Sequence, residues 1–296
     1  MTSDLLQIIR SFGYLPEPEP VHDVFSRLSR SEIRAGRLPQ STVGTKYLDN
    51  VFSHRFKSRT FGHPSLHDAF YDDVQMKKVV DYVLATGREP DRETILKNLR
   101  FNVKVPSHFF PDTSSALCRA FAPGGRILDV FTGWGGRSLG AICSGAIDVV
   151  SVDVQPDSAV AGRRMVADLS GHLKSSVEFV TDDFAAYMSS TNKMFDMIIA
   201  SPPFLDTEDY GHDLPRTFRE WTVRVAIPLV RLSAKLLNDF GVAVIHCQDR
   251  PSVPVLSILY AAFQCSGFTL AREFRYGKTA GQSVLVWKVG ERAARL

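Results

Sequence analysis

No apolar run in this 296-residue chain approaches the ~20 residues needed to span a bilayer, which excludes a helical membrane span. The opening residues, Met1 to Arg10, lack a basic region followed by a long apolar core, so no secretory leader is expected there. Both absences point to an intracellular, cytoplasmic protein. Cysteine is scarce: Cys118, Cys143, Cys247 and Cys265 lie far apart and form no Cys-x-x-Cys pair. A structural zinc site is therefore not expected; four reduced, mostly buried thiols are. The net charge of +3 is too small to identify a partner, and neither internal repeats nor low-complexity segments occur.

The composition is that of a globular protein with a sizeable core, with 44% apolar and 23% charged residues. The length suits one large α/β domain with an appendage. Charge is unevenly spread. Between Val24 and Pro64 lie Arg27, Arg30, Arg34, Arg37, Lys46, Arg55, Lys57 and Arg59 against only Glu32 and Asp49, a pattern that suits phosphate contact but also a solvated face.

Texture divides the chain near residue 104. Residues 1–104 read as a mainly helical unit with loops such as Pro16-Glu17-Pro18-Glu19-Pro20. Apolar residues at Val74, Met76, Val79, Val80, Val83 and Leu84 repeat at close to a helical period, and Asp91 is placed to cap a second helix over Asp91 to Leu99. In residues 105–296, short β-rich runs alternate with amphipathic stretches: Arg126–Val130, Val149–Val154, Val177–Val180, Met197–Ala200, Val242–His246, Thr269–Arg275 and Ser283–Lys288. That alternation predicts a parallel α/β sheet. Phe218 to Leu237 reads as the longest helix. The last two runs have no helix between them, so a terminal antiparallel hairpin is expected.

Two segments carry chemistry. Arg126-Ile127-Leu128-Asp129-Val130 runs into Phe131-Thr132-Gly133-Trp134-Gly135-Gly136, a strand followed by a glycine-rich turn and a helix. Glycines permit positive φ and close ligand approach, and the helix start offers free N–H groups; such a loop alone could serve nicotinamide, flavin or S-adenosylmethionine. Asp153, ending the second strand, is positioned for ribose hydroxyls or for a helix cap. Asp183 and Phe184, after the third, suit an adenine amine and ring. The second segment is Ser201-Pro202-Pro203-Phe204, after the apolar run 195–200. Successive prolines fix φ and remove two donors, leaving a rigid, acceptor-rich turn beside a flat aromatic face. Such a turn suits an exocyclic amine on a planar base.

Asp129-Val130-Phe131-Thr132-Gly133-Trp134-Gly135 resembles the Asp-x-Phe-x-Gly-x-Gly motif of class I S-adenosylmethionine-dependent methyltransferases, and Ser201-Pro202-Pro203-Phe204 resembles the Asp/Asn/Ser-Pro-Pro-Tyr/Phe motif of the DNA amino-methyltransferases acting on adenine N6 or cytosine N4. The resemblance spans about Phe109 to Lys288, including Phe109-Phe110-Pro111-Asp112-Thr113 before the glycine loop; the first hundred residues carry none of it. It implies a seven-stranded Rossmann-like methyltransferase sheet. It also implies S-adenosylmethionine as cofactor, with Asp129, Phe131, Gly133 and Gly135 along its methionine and ribose part, Asp153 on the ribose, Asp183 and Phe184 at the adenine, and Phe110 and Thr113 closing over it. Ser201, Pro202, Pro203 and Phe204 would form the catalytic base pocket.

The implied partner is nucleic acid, with DNA expected and a single-stranded or flipped base easiest to reach. Ser rather than Asp at position 201 leans toward cytosine N4. Trp134 is bulky for a glycine loop, and the usual long target-recognition domain is missing, so the N-terminal unit could supply recognition. Alternatives are an RNA or protein-glutamine acceptor, or a non-catalytic methyltransferase-like nucleic-acid-binding subunit. Asp206, Glu208, Asp209, Tyr210 and His212 suit either a lid or a solvated loop, Arg275 and Lys278 either phosphate or surface charge, and His246 is expected to be a satisfied core or rim residue.

Overall fold

The computed structural model describes residues 3–11, 13–60, 62–203, 208–209, 215, 217–249, 254–277 and 281–290. Phe204, Asp206, Tyr210, His212 and Lys278 lie outside the described residues, as do the side chains of Glu208 and Asp209. The chain divides into two units: Met1–Pro18 with Ser53–Ser107 and Asp206–Leu214, and Glu19–Phe52 with His108–Leu205 and Pro215–Leu296.

The smaller unit is helical. Its core gathers Ile9, Phe56, Leu66, Phe70, Ile95 and Leu99 around the helix Asp73–Ala85. That helix buries Met76, Val79, Val80 and Val83, a clean i, i+3, i+4, i+7 face, while Val74 and Leu84 of the same apolar pattern are exposed. The next helix, Arg92–Asn102, is capped by Asp91, whose side chain accepts from the Thr94 N–H at 2.8 Å. Arg59–Thr60 pairs antiparallel with Glu208–Asp209. The segment that follows Ser201–Phe204 therefore contributes a strand to this unit before the chain returns at Pro215.

The larger unit is built on seven strands: β1 (Arg126–Val130), β2 (Asp148–Asp153), β3 (Ser176–Thr181), β4 (Phe195–Ala200), β5 (Leu237–Gln248), β6 (Phe268–Arg275) and β7 (Gln282–Val289). Their order is β3-β2-β1-β4-β5-β7-β6, parallel except for β7, which runs antiparallel between β5 and β6. This is the Rossmann-like α/β sheet with a terminal antiparallel hairpin that the sequence pattern leads one to expect. Alternate strand residues feed two cores, one on each face. Ile127, Val149, Met197, Ile199 and Val244 pack toward the helices Val21–Leu28, Pro111–Phe121 and Gly136–Cys143. Leu128, Val150, Ile198, Ala243 and Trp287 pack on the other side with residues of Ile227–Leu236 and Val255–Cys265.

Residues 19–52, on the N-terminal side of position 104, belong to this sheet unit, because Val24, Leu28, Tyr47, Leu48 and Phe52 complete its first core. The long helix expected over Phe218 to Leu237 is interrupted. Phe218–Trp221 passes through a π-helical turn, Thr222–Ala226, into Ile227–Leu236. Pro228 has no N–H for the preceding turn, and the wider turn sits immediately before it. Leu237, expected to close that helix, starts β5 by pairing with Phe195. Cys118, Cys143 and Cys247 are buried free thiols, and Cys265 is exposed and free. Among the described residues no helix is long and apolar enough to cross a membrane.

Candidate active site

The parallel register of β1 and β4 pairs Val130 with Ala200. Phe131 and Ser201 are the next residues, so the glycine-rich turn and the Ser-Pro-Pro turn leave adjacent strand ends. Carboxyl ends of parallel strands are where open α/β sheets hold ligands.

Backbone strain marks the first turn. Phe131 has φ +63°, a left-handed conformation that side chains other than Gly, Asn and Asp rarely adopt. Its ring meets that of Phe184 at 4.5 Å. Its carbonyl accepts from the Arg137 guanidinium, which fixes the turn from below. Gly133 follows at φ +57°, and a Cβ there would meet only the Phe131 carbonyl at 3.7 Å, so this face of the loop is open. The Gly133 N–H donates to Asp153 at 2.7 Å. The other Asp153 oxygen accepts from Gln155 N–H at 2.9 Å. Burial raises the Asp153 carboxyl above its ordinary value, and these two bonds oppose that shift. Asp183 caps the helix Phe184–Ser190 by accepting from Ala185 and Ala186 through one oxygen.

Three residues expected along the cofactor are engaged by the protein itself. Asp129 is fully buried; one oxygen accepts from Arg137 Nε at 2.7 Å and the other from Ser138 Oγ at 2.6 Å, so it anchors the turn from underneath. Thr113 is fully buried, and its hydroxyl donates to the Pro39 carbonyl. It ties an N-terminal segment to the sheet unit and has no surface left for a ligand. Gly135 is glycine because Phe52 occupies its Cβ position, with a ring carbon only 2.4 Å away. Gly136 is likewise pressed against the Phe109 carbonyl. Phe110 precedes the helix Pro111–Phe121, half-buried, its N–H donating to Tyr276 Oη at 2.8 Å. Trp134 is buried.

The second turn is held by residues that give no local sequence signal. Trp221 Nε1 donates to the Pro203 carbonyl at 2.9 Å, and Trp221 itself is buried at the edge of the π-helical turn, a distortion frequent at functional sites. Ser201 Oγ lies 2.8 Å from Nδ1 of His246, which is buried near the end of β5. Phe109 and Tyr276 stack at 4.9 Å, and both rings contact the imidazole, at 5.4 and 4.4 Å. Burial pushes the His246 pKa down to about 3, with a smaller contribution from the Arg137 charge, so the ring is neutral at physiological pH. His246 is thus buried, as the sequence leads one to expect, and it is also hydrogen-bonded to the site.

The basic stretch between Val24 and Pro64 spans the boundary at Phe52/Ser53 between the two units. Within it, Arg55 is buried on the Pro106 carbonyl, Arg59 pairs with Asp68 at 2.7 Å, and Arg34 lies 3.7 Å from Glu32.

Residues 112–219 match the family model described as conserved hypothetical protein 95, a stretch that includes both turns. No curated protein matches the chain in sequence. Among solved structures, TrmN from Thermus thermophilus is 23% identical with a TM-score of 0.46, over 60% of this chain and 48% of that one. This chain thus matches about half of TrmN's length. A methyltransferase from Pyrococcus furiosus is 15% identical with a TM-score of 0.48, over 72% and 98%. The T. thermophilus 16S rRNA N2 G1207 methyltransferase RsmC, in complex with AdoMet and guanosine, is 20% identical with a TM-score of 0.43, over 63% and 44%.

Proposed function

We propose that this chain transfers a methyl group from S-adenosylmethionine to an exocyclic amino group of a nucleobase, with cytosine N4 or adenine N6 of DNA as the acceptors that the Ser-Pro-Pro-Phe motif implies. One observation carries the reading: the Val130–Ala200 register sets the strained glycine loop and the acceptor-rich turn on neighbouring strand ends.

The residues around the first turn fit the cofactor. Gly133 leaves the loop face open, Asp153 brings a carboxylate to the tip of β2, and Phe131 with Phe184 forms an aromatic wall near the tip of β3. In this reading Gly133, Asp153, Phe131, Phe184 and Asp183 hold the donor, while Asp129, Gly135 and Thr113 support them from below. Bound S-adenosylmethionine would supply an electrophilic methyl carbon on positively charged sulfur, whose C–S bond breaks as the new N–C bond forms.

The chain's part is positioning. An exocyclic amine is a poor nucleophile because its lone pair is delocalised into the ring. Ser201 Oγ and the Pro202 carbonyl, accepting its two hydrogens, would favour a pyramidal nitrogen with its lone pair aimed at the donor. Once nitrogen carries positive charge, a proton leaves to water, so no strong base is needed. Phe204 would stack on the base, worth ~1–3 kcal/mol against the few kcal/mol of unstacking it.

Incubation of the purified protein with methyl-labelled S-adenosylmethionine and separate DNA, RNA and protein pools, followed by mass spectrometry of the nucleosides, tests this. Label in an N-methylated base is the expected result, with the DNA and RNA arms naming the polymer. Label in protein alone would overturn it.

A further inference from the structure

We infer that His246 is a positioning residue: it accepts the Ser201 hydroxyl proton at Nδ1, so that Ser201 Oγ presents only lone pairs to the amine of the acceptor base. This deepens the proposed function and rests on it.

A carboxylate at position 201 would be an acceptor at every orientation. A serine hydroxyl is not, because its proton rotates and can point at the incoming N–H as easily as its lone pairs can. Such a site needs a fixed acceptor behind the hydroxyl, and Nδ1 of His246 lies 2.8 Å from Ser201 Oγ. The fold supplies this pairing through strand register: Ala200 of β4 pairs with Ile245 of β5, so the next residue on each strand, Ser201 and His246, stand side by side.

The imidazole packs against a stacked pair of rings. Tyr276 lies 4.4 Å away and Phe109 5.4 Å, and these two rings stack on each other. Tyr276 is in turn tied to the Phe110 N–H. Charge state matters as well. An imidazolium would place a proton on Nδ1, oblige Ser201 Oγ to accept it, and turn the hydroxyl proton outward toward the amine. Burial, with the nearby Arg137 charge, keeps the ring neutral, so the hydroxyl can donate inward. Burial also makes the ring a weak base, so the pair orients the amine rather than removing its proton.

The test joins kinetics to a reading of the tautomer. His246→Leu should lower kcat by about 10- to 100-fold while leaving the dissociation constant for S-adenosylmethionine within about threefold. His246→Asn, whose amide oxygen can stand near Nδ1, should recover activity to within about fivefold of wild type, and Ser201→Ala/His246→Leu should be no more than about twofold worse than Ser201→Ala alone. Nitrogen-15 NMR of histidine-labelled protein should show Nδ1 of His246 without a proton, and its shift should move in Ser201→Ala. Equal failure of the Asn and Leu variants with unchanged melting temperatures, multiplicative losses in the double variant, or a proton on Nδ1 would overturn the inference. If His246→Leu does not fold, the NMR of wild type and Ser201→Ala still decides. An unprotonated Nδ1 in a protein that methylates no nucleobase would instead count against the proposed function.

Discussion

Asp129 and Arg137 form a buried ion pair at 2.7 Å beneath the glycine-rich turn, each almost wholly withdrawn from solvent. Arg137 also donates to the Phe131 carbonyl, and Ser138 donates to the second Asp129 oxygen. Removing one partner leaves a buried charge uncompensated, which typically costs about 3–5 kcal/mol. Arg137→Met is therefore expected to destabilise the protein by that order in urea unfolding, whereas Ser138→Ala should cost about 1–2 kcal/mol because the ion pair survives.

Two glycines in and after the turn are expected to behave differently. At Gly133 a Cβ would find open space but must accept φ +57°, so Gly133→Ala should cost only about 1 kcal/mol of stability and weaken S-adenosylmethionine binding. At Gly140 a Cβ would lie 2.3 Å from the Pro111 carbonyl and 2.5 Å from Ser114 Cβ. Gly140→Ala should cost about 2 kcal/mol or more, because two helices must separate. Thermal unfolding beside calorimetric titration of the donor distinguishes the two effects.

Donor and acceptor halves of the site should separate by mutation. Phe204→Ala is expected to reduce turnover about tenfold or more while leaving S-adenosylmethionine affinity within a few-fold, and Asp153→Ala to do the reverse. Asp153 also holds the Gly133 N–H, so its loss frees the loop as well as removing a ligand. Equal loss of donor binding in both variants would contradict this division.

Acid stability should carry the signature of His246. Its folded pKa is lowered to about 3 by burial, from an ordinary value of 6.5. Between these values the unfolded chain binds the proton and the folded one does not. The histidine's neutral form thus contributes stability that is present above pH 6.5 and is lost as pH falls toward 3. The slope is at most about 1.4 kcal/mol per pH unit. His246→Asn should lack this component, so the stability of wild type relative to this variant should fall between pH 6.5 and 4 in denaturant titrations. A difference that stays constant over that range would refute the assignment.

Much of the sheet was legible in the sequence. All seven strands lie on runs identifiable by their apolar, β-branched content, and the helix-free gap before Ser283 foretells the antiparallel β6–β7 hairpin. The strand β5 is longer than its apolar run because Leu237 pairs with Phe195 across an irregularity in register, and pairing is invisible from one strand alone. The cap at Asp91 was readable too, since a cap needs only residues two or three positions away, whereas Asp183, read only as an adenine contact, also caps its helix. Trp221 and His246 gave no comparable signal. Trp221 is 18 residues from the carbonyl it holds, and His246 is 45 from Ser201.

By itself the sequence determined the alternation of strands and helices, the strand ends on which the two turns stand, and the residue types available there, because these depend on local periodicity and backbone restriction. Tertiary structure alone decided which of those residues keep a face for a ligand. Thr113 was expected at the surface of the site and is consumed by Pro39, 74 positions away; Gly135 is filled by Phe52; Asp129 is neutralised by Arg137. A side chain's chemistry is fixed by its type, but its availability is set by burial and by partners that only folding brings within hydrogen-bond distance.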